Sequence, residues 1–345
     1  MYALSMNRHH YRLSRAQIQD LFQGGNRSNY LNFSPSEEVI QSVAIKARAS
    51  AVEKGLNSSN LSDIAGSHGS PPFSTILGTW ELLKMRGLIP KIQGIGIEVG
   101  SGLALLSCAV KKLDVENSIN GLIALEATKP FVTSGIGMTS REILGKDAIS
   151  ILPCFGVFEE IPLEDNSIDF GIQIESLHHA NSLSDAIKEI SRIICPGGYF
   201  VSIDRSWVDS VSQATLESML DHQYTKEWLK GKNFDPNIEF TRRDNGEHEY
   251  RDCEWIDAFE KNGFRLVSLS FLHPSIEFWH VVKRFVSMFH LDRFFSIQVK
   301  SRPGVLRTYL AQTFGLKKIS FSNMLISPHP RPLTVMVLRK NEVQI

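Results

Sequence analysis

Between residues 93 and 205 short apolar runs alternate with amphipathic stretches, and few folds admit that rhythm. IQGIGIEVG (92–100), GLIALEA (121–127), AISILPCFG (148–156), SIDFGIQIES (167–176) and GGYFVSID (197–204) each read as a short buried strand. LALLSCAVKKL (103–113) and LSDAIKEISRII (183–194) read as helices between them. Strands that are apolar throughout are covered on both faces, and with helices between them they form a parallel sheet. CEWIDAFEKNG is a further helix ending at Gly263, and FRLVSLSFL (264–272) and LTVMVLRK (333–340) add two strands. The expected fold is α/β: seven mostly parallel strands with helices on both faces.

This core takes in 91–272 and 333–345. Residues 1–90 read as a helical extension. Within them VIQSVAIKARASAVEK is a helix capped by Ser34 or Ser36, and FSTILGTWELLKMRG a second helix ended by Gly87 and Pro90. The polar segment 206–250 reads as helical in places. Residues 273–332 separate the last two strands, too long a connection for plain loop, and read as an aromatic helical insertion. In 277–296, Phe278, Trp279, Val282, Phe285, Val286, Phe289 and Phe295 fall near helical spacing, with Lys283, Arg284 and Arg293 among them. That pattern fits a helix packed on the core, a lid over a pocket, a homodimer surface or a peripheral membrane contact.

Charge removes one class of partner. Lys+Arg and Asp+Glu both number 37, so nothing electrostatic points to nucleic acid. Four cysteines without a CxxC pair argue against a zinc site or a disulfide framework and suit a reducing cytosol. The basic N-terminus has no apolar stretch behind it, so it is not a secretory signal, and no apolar run reaches membrane-spanning length. A cytoplasmic protein is expected.

Function is expected at GIEVGSGLALLS (96–107). In an open parallel sheet, ligands bind outside the carboxyl ends of the strands. A glycine turn there lets a ligand approach the backbone without meeting a Cβ. A carboxylate at the end of the second strand, here Glu126, suits ribose hydroxyls, so a nucleoside-containing cofactor is expected. Dinucleotide binders favour a third glycine where Leu105 stands, which argues against a nicotinamide oxidoreductase.

Three stretches carry a family resemblance across 93–205. IEVGSGLA (97–104) is similar to an E/D-x-G-x-G-x-G turn, with Ala104 in place of the third glycine. EEIPLEDNSIDF (159–170) resembles the segment before the fourth strand, and LHHA with AIKEISRIICPGGYF (186–200) resembles the segment leading into the fifth. Together they resemble the class I S-adenosylmethionine-dependent methyltransferases, in particular the broad type 11 group that modifies small molecules. The resemblance implies a Rossmann-like sheet and S-adenosyl-L-methionine as cofactor. It implies that Glu98, with the backbone at Gly100, Ser101 and Gly102, holds the methionine part and that Glu126 holds the ribose. It places the adenine near Gly156, Val157 and Phe158. Val157 stands where family members often carry an Asp, leaving the contact to Phe158 and its backbone N–H. Gln173, on the fourth strand, joins this cofactor set. Asp169, opening that strand, reads as structural.

Methyl transfer from a sulfonium needs alignment, and a hydroxyl acceptor also needs a base. The end of the fourth strand faces the methyl in this family. It offers His178 first, then Glu175, with His179 either a base or a packing residue. IESLHH also resembles a short segment of the sterol C-methyltransferases, without making this a sterol enzyme. Asp204 and Arg205, ending the fifth strand, open onto the same pocket, where Arg205 clamps an anionic acceptor or pairs with Asp204. In NGEHEYRDCEW (245–255), Glu247, His248 and Glu249 either meet a substrate or form a solvated approach to the next helix. The spacing is not that of a metal motif. The leading expectation is methyl transfer to a hydroxyl of a small-molecule, glycan or lipid-precursor acceptor. Carbon, nitrogen or sulfur acceptors, and a non-catalytic binding module on the same fold, are the alternatives.

Overall fold

The structure, a computed structural model, describes residues 4–5, 12–24, 31–32, 73–85, 87–231, 234–272 and 333–342. The expected helix near Ser36 and the aromatic segment 277–296 lie outside the described residues, with the readings attached to them. Two short strands, Leu4–Ser5 (β1) and Leu31–Asn32 (β2), flank a helix at Arg15–Gln23 (α1). A second helix, Phe73–Met85 (α2), leads to the core. The core strands are Gly94–Val99 (β3), Ile119–Glu126 (β4), Ile151–Phe155 (β5), Ile168–Ile174 (β6), Ile194–Arg205 (β7), Phe264–Leu272 (β8) and Leu333–Lys340 (β9). The helices after α2 are Leu105–Lys112 (α3), Ile136–Leu144 (α4), Leu183–Ile193 (α5), Gln213–Leu220 (α6), Lys226–Gly231 (α7) and Asp252–Lys261 (α8).

Among the described residues the strands form one sheet in the order β1-β2-β5-β4-β3-β6-β7-β9-β8. The pairs from β1 to β7 are parallel, and β9 runs antiparallel between β7 and β8. The expected seven strands are all present. The extension, read as helical, also contributes β1 and β2 to the sheet edge. No helix among the described residues is long and apolar enough to cross a membrane.

Both faces of the sheet are buried, which explains the unbroken apolar runs. Leu122 and Ala124 pack with Trp80, Leu106 and Phe131 on one face, while Ile97 and Ile123 pack with Ile18, Ile187 and Phe259 on the other. Helix α5 shows how the sequence writes such an element. The Ser182 side chain accepts the Asp185 N–H at its start, and Leu183, Ala186, Ile187, Ile190 and Ile193 bury one stripe. Each buried isoleucine contributes about 1.5–3 kcal/mol.

Two features differ from the expectation. Residues 131–144 turn once as a π-helix and continue as α4, a helix no sequence pattern announced. β7 starts three residues before the expected GGYFVSID, and Pro196-Gly197-Gly198 lies within it as an irregularity with Gly197 at φ +77°. Asp169 has the structural role expected of it. Its carboxylate accepts the Ile95 N–H at 2.7 Å and both Arg15 amino groups at 2.9 and 2.8 Å, fastening α1 to the amino end of the sheet.

Candidate cofactor and acceptor site

The chain runs from β3 outward through β4 and β5, then returns to the other side of β3 as β6 and β7. The crevice at the carboxyl ends of β3 and β6 is therefore the topological switch point. The glycine turn sits there. Gly100 has φ +65° and Gly102 φ +52°, a region that favours glycine. At Gly100 space is also lacking: a Cβ would lie 2.5 Å from Ser176 Cβ and 3.0 Å from the Phe158 ring. The Ser176 hydroxyl donates to Val99 O at 2.7 Å, which fixes that close approach. Ser101 is 7 % exposed, and its hydroxyl has no hydrogen-bond partner among the described residues. A buried hydroxyl left unpaired costs about 1–3 kcal/mol, so this atom calls for a ligand.

Ala104 takes the left-handed conformation, φ +57°, that a glycine adopts freely. Holding a non-glycine residue there costs about 1–2 kcal/mol. Ala104→Gly is accordingly expected to stay within about 1 kcal/mol of the parent, since the relieved strain offsets the lost methyl and the added chain entropy. A thermal melt reads this, and a larger loss would mean that the alanine is unstrained.

The two acidic residues support the turn from different sides. Glu98 is 1 % exposed, and its carboxylate accepts the Ser107 N–H at 2.8 Å, capping the start of α3 from behind the turn. Burial pushes its pKa up to about 7, against the pull of Ser107. A folded-state pKa above the unfolded value near 4.3 means that the native state binds more protons, so stability falls as pH rises between the two. Glu98→Gln removes that slope. It is expected to gain about 2 kcal/mol on the parent between pH 5 and pH 8 in urea denaturation. Parallel curves would refute the shift.

Glu126 accepts the Gly102 N–H at 2.8 Å and the Thr128 N–H at 2.7 Å, one on each oxygen. Each carboxylate oxygen takes a second donor, so the group that shapes the turn still has capacity toward a diol. Next to it, Gly156 N–H donates to Glu126 O at 3.1 Å, which brings Gly156, Val157 and Phe158 alongside the turn. Val157 is buried, and Phe158 packs over Gly100. Glu159 accepts the Asn181 N–H at 2.8 Å and so anchors this loop to the one before α5.

The acceptor end is built from β6, β7 and the segment before α8. Gln173 is buried with its amide on Ser202 at 2.6 Å and Asp204 at 3.2 Å, and its carbonyl accepts the Ser176 N–H at 3.1 Å. Gln173 thus lies under Asp204 and supports it. His178, 2 % exposed, places Nδ1 2.6 Å from Asp204 and Nε2 against an amino group of Arg205. Asp204 also accepts the Arg205 N–H at 2.7 Å. Burial raises its pKa to about 6, opposed chiefly by Arg205. Glu175 has φ +49°, a strained value for a non-glycine residue, and its N–H donates to Ile203 O at 2.8 Å. His179 lies against Gly246 O at 3.2 Å, and the His248 N–H donates to His178 O at 2.8 Å. These two histidines join the β6 end to the segment before α8.

The Arg205 side chain donates to Glu247 at 2.9 Å and lies against His178 Nε2, while its buried Nε has no hydrogen-bond partner among the described residues. Glu247 also accepts from Arg242 Nε at 2.8 Å, from Asn245 at 2.9 Å and from the Tyr224 hydroxyl. Glu249 pairs with Arg242 and accepts the Trp207 indole N–H. Both glutamates are buried, so 245–255 is not the solvated approach expected. Burial would raise the Glu247 pKa, but Arg205 and Arg242 outweigh it and hold the carboxyl well below the usual range. Tyr224 stacks on Trp228 at 3.8 Å, with Phe240 and Phe234 beyond, forming an aromatic base under this cluster. Ser176, Thr128, Tyr224 and Arg242 are contributors that no local motif marked.

Residues 98–202 match the family described as a methyltransferase domain. That stretch holds the glycine turn, Glu126 and the β6 end, and it is a class I S-adenosylmethionine-dependent methyltransferase domain. The chain is 30 % identical over 112 residues to the sterol 24-C-methyltransferase of Schizosaccharomyces pombe, covering 32 % of this chain and 26 % of that one. It is 34 % identical over 64 residues to the dimethylglycine N-methyltransferase of Parasynechococcus marenigrum, covering 19 % and 23 %. The match thus spans about a quarter of the length of these curated relatives. Among solved structures, the geranyl diphosphate C-methyltransferase of Streptomyces coelicolor superposes with a TM-score of 0.46 at 10 % identity, over 76 % of this chain and 79 % of that one.

Proposed function

We propose that this chain transfers a methyl group from S-adenosylmethionine to a hydroxyl of a small-molecule, glycan or lipid-precursor acceptor. One observation carries the cofactor half: the unpartnered Ser101 hydroxyl in a glycine turn whose Gly102 N–H rests on Glu126, at the switch point. The residues fit the cofactor. Ser101 Oγ and the turn backbone meet the methionine part, Glu126 takes the ribose hydroxyls, and Gly156 to Phe158 border the adenine. Glu98 keeps the turn in place through α3. The bound cofactor supplies a methyl group on a sulfonium; this chain's residues align it and take up the acceptor's proton. Glu175 supplies a candidate proton acceptor at the β6 end, where Asp204 and Arg205 take the His178 nitrogens, which favours a hydroxyl. The two relatives do not decide the acceptor, since their names give carbon in one and nitrogen in the other.

Calorimetric titration with S-adenosylmethionine tests this directly. A dissociation constant of about 1–10 μM, near −7 to −8 kcal/mol, is expected. Labelled-methyl transfer to a panel of alcohols, amines, thiols and carbon acids then sorts the acceptor atom. No binding at millimolar cofactor overturns the enzyme reading, and binding without transfer to any class points to a binding module.

A further inference from the structure

The buried chain Asp204–His178–Arg205–Glu247 reaches from the sheet into the segment before α8. Its chemistry is more restrictive than that of a generic ion cluster. A guanidinium carries only donors, and an ionised carboxylate only acceptors. With Arg205 facing Nε2, that nitrogen must present its lone pair. With Asp204 2.6 Å from Nδ1, the proton must sit there. A doubly protonated ring would set N–H against N–H at Arg205. The groups facing this histidine are Asp204 and Arg205 from β7, Glu247 and His248 from the segment before α8, and its neighbour His179, whose ring centroid is 4.1 Å away. Arg205 cannot swing freely, because Glu247 accepts from it, and Glu247 is in turn held by Arg242, Asn245 and Tyr224.

We propose that Glu247 is a positioning residue: through Arg205, which donates to Nε2, it holds His178 in the Nδ1–H tautomer. In this arrangement the one lone pair of Nε2 is taken by the Arg205 amino group, so His178 links Asp204 to Arg205 and is not itself a free proton acceptor. The tautomer and its dependence on Arg205 and Glu247 do not rest on the methyltransferase reading. Glu247, from the segment before α8, thereby sets the protonation pattern of a residue at the β6 end.

The test is long-range proton–nitrogen correlation NMR on the full chain with labelled histidine, His178 being assigned from the resonance lost in His178→Gln. The parent is expected to show an acceptor-type Nε2 and a protonated Nδ1. Arg205→Met is expected to shift the tautomer ratio about tenfold toward Nε2–H, the factor a single hydrogen bond supplies. Arg205→Lys, which restores a charged donor, is expected to recover most of the preference. Glu247→Gln is expected to fall between. Should Glu247→Gln not fold, the Arg205 pair decides alone. An Nε2–H form in the parent, or an unchanged ratio in Arg205→Met, overturns the proposal. So does a Glu247→Gln protein that melts earlier with its ratio intact, since that marks a merely structural residue. Cofactor titration of the same parent sample keeps the two readings apart: lost binding with the tautomer intact sinks the function and leaves this inference standing.

Discussion

Gly100→Arg is expected to abolish S-adenosylmethionine binding, with a loss of at least about 100-fold in affinity, or ~2.7 kcal/mol. Two costs combine at this position. The backbone sits at φ +65°, where a side chain is strained by about 1–2 kcal/mol, and any Cβ meets Ser176 at 2.5 Å and Phe158 at 3.0 Å. Ser176 cannot retreat without giving up its bond to Val99 O and its contacts with Gln173. The Gly100 backbone therefore moves, and the Ser101 hydroxyl and Gly102 N–H move with it. Gly100→Ala makes the same contact with a smaller group and is expected to lose affinity in the same direction. Calorimetry on protein with native circular dichroism is the measurement. Binding within threefold of the parent would show that the turn does not hold the cofactor.

The largest effect on stability is expected at Glu247. Glu247→Ala leaves the Arg205 and Arg242 guanidinium groups facing each other without their shared acceptor. Removing one member of a buried ion cluster costs about 3–5 kcal/mol, because the remaining charges stay desolvated. The residue is only 5 % exposed, so solvent screening offers little relief. The pH dependence has a definite sign. A carboxyl whose folded pKa is depressed stabilises the fold above its unfolded value near 4.3, and that contribution fades as pH falls. The gap between parent and Glu247→Ala is thus expected to be widest near neutral pH and to narrow progressively below pH 4. Urea denaturation at pH 7 and pH 3.5 reads both. A gap that stays constant across that range would mean that Glu247 is not ionised in the fold.

What the sequence made legible was local. β3 to β7 were readable because each is a short apolar run buried on both faces, and the glycine turn because its spacing is fixed by one strand-to-helix junction. Helix α4 was not readable. FVTSGIGMTS mixes β-branched residues with glycine, which individually disfavour helix, and it winds because Phe131, Val132, Ile136 and Thr139 find buried positions. The acceptor end was legible in its residues and not in its pairings. Glu175, His178, His179, Asp204, Arg205, Glu247 and His248 were all singled out, yet the partner of Arg205 lies 42 residues away and no periodicity connects them. Charge density in NGEHEYRDCEW suggested water, and partners from outside that stretch, Arg205, Arg242, Tyr224 and Trp207, allow those glutamates to be buried. Glu98 was legible as part of the turn and its bond to the Ser107 N–H was not, because an acidic residue before a glycine turn serves equally as a ligand contact or as a cap.

The position of β9 bears on how the molecule is made. Among the described residues β8 pairs only with β9, and β9 lies between β8 and β7 although sixty residues separate it from β8 along the chain. During synthesis the parallel half of the sheet is complete once β7 has emerged, while β8 waits without a hydrogen-bonding neighbour. Until β9 arrives, the outer edge of β7 is open too, and exposed edges of this kind recruit other chains. A ribosome-bound chain stalled before residue 333 would therefore carry a finished cofactor half beside an unpaired ribbon, and chaperone capture or aggregation of such nascent chains should concentrate in that interval.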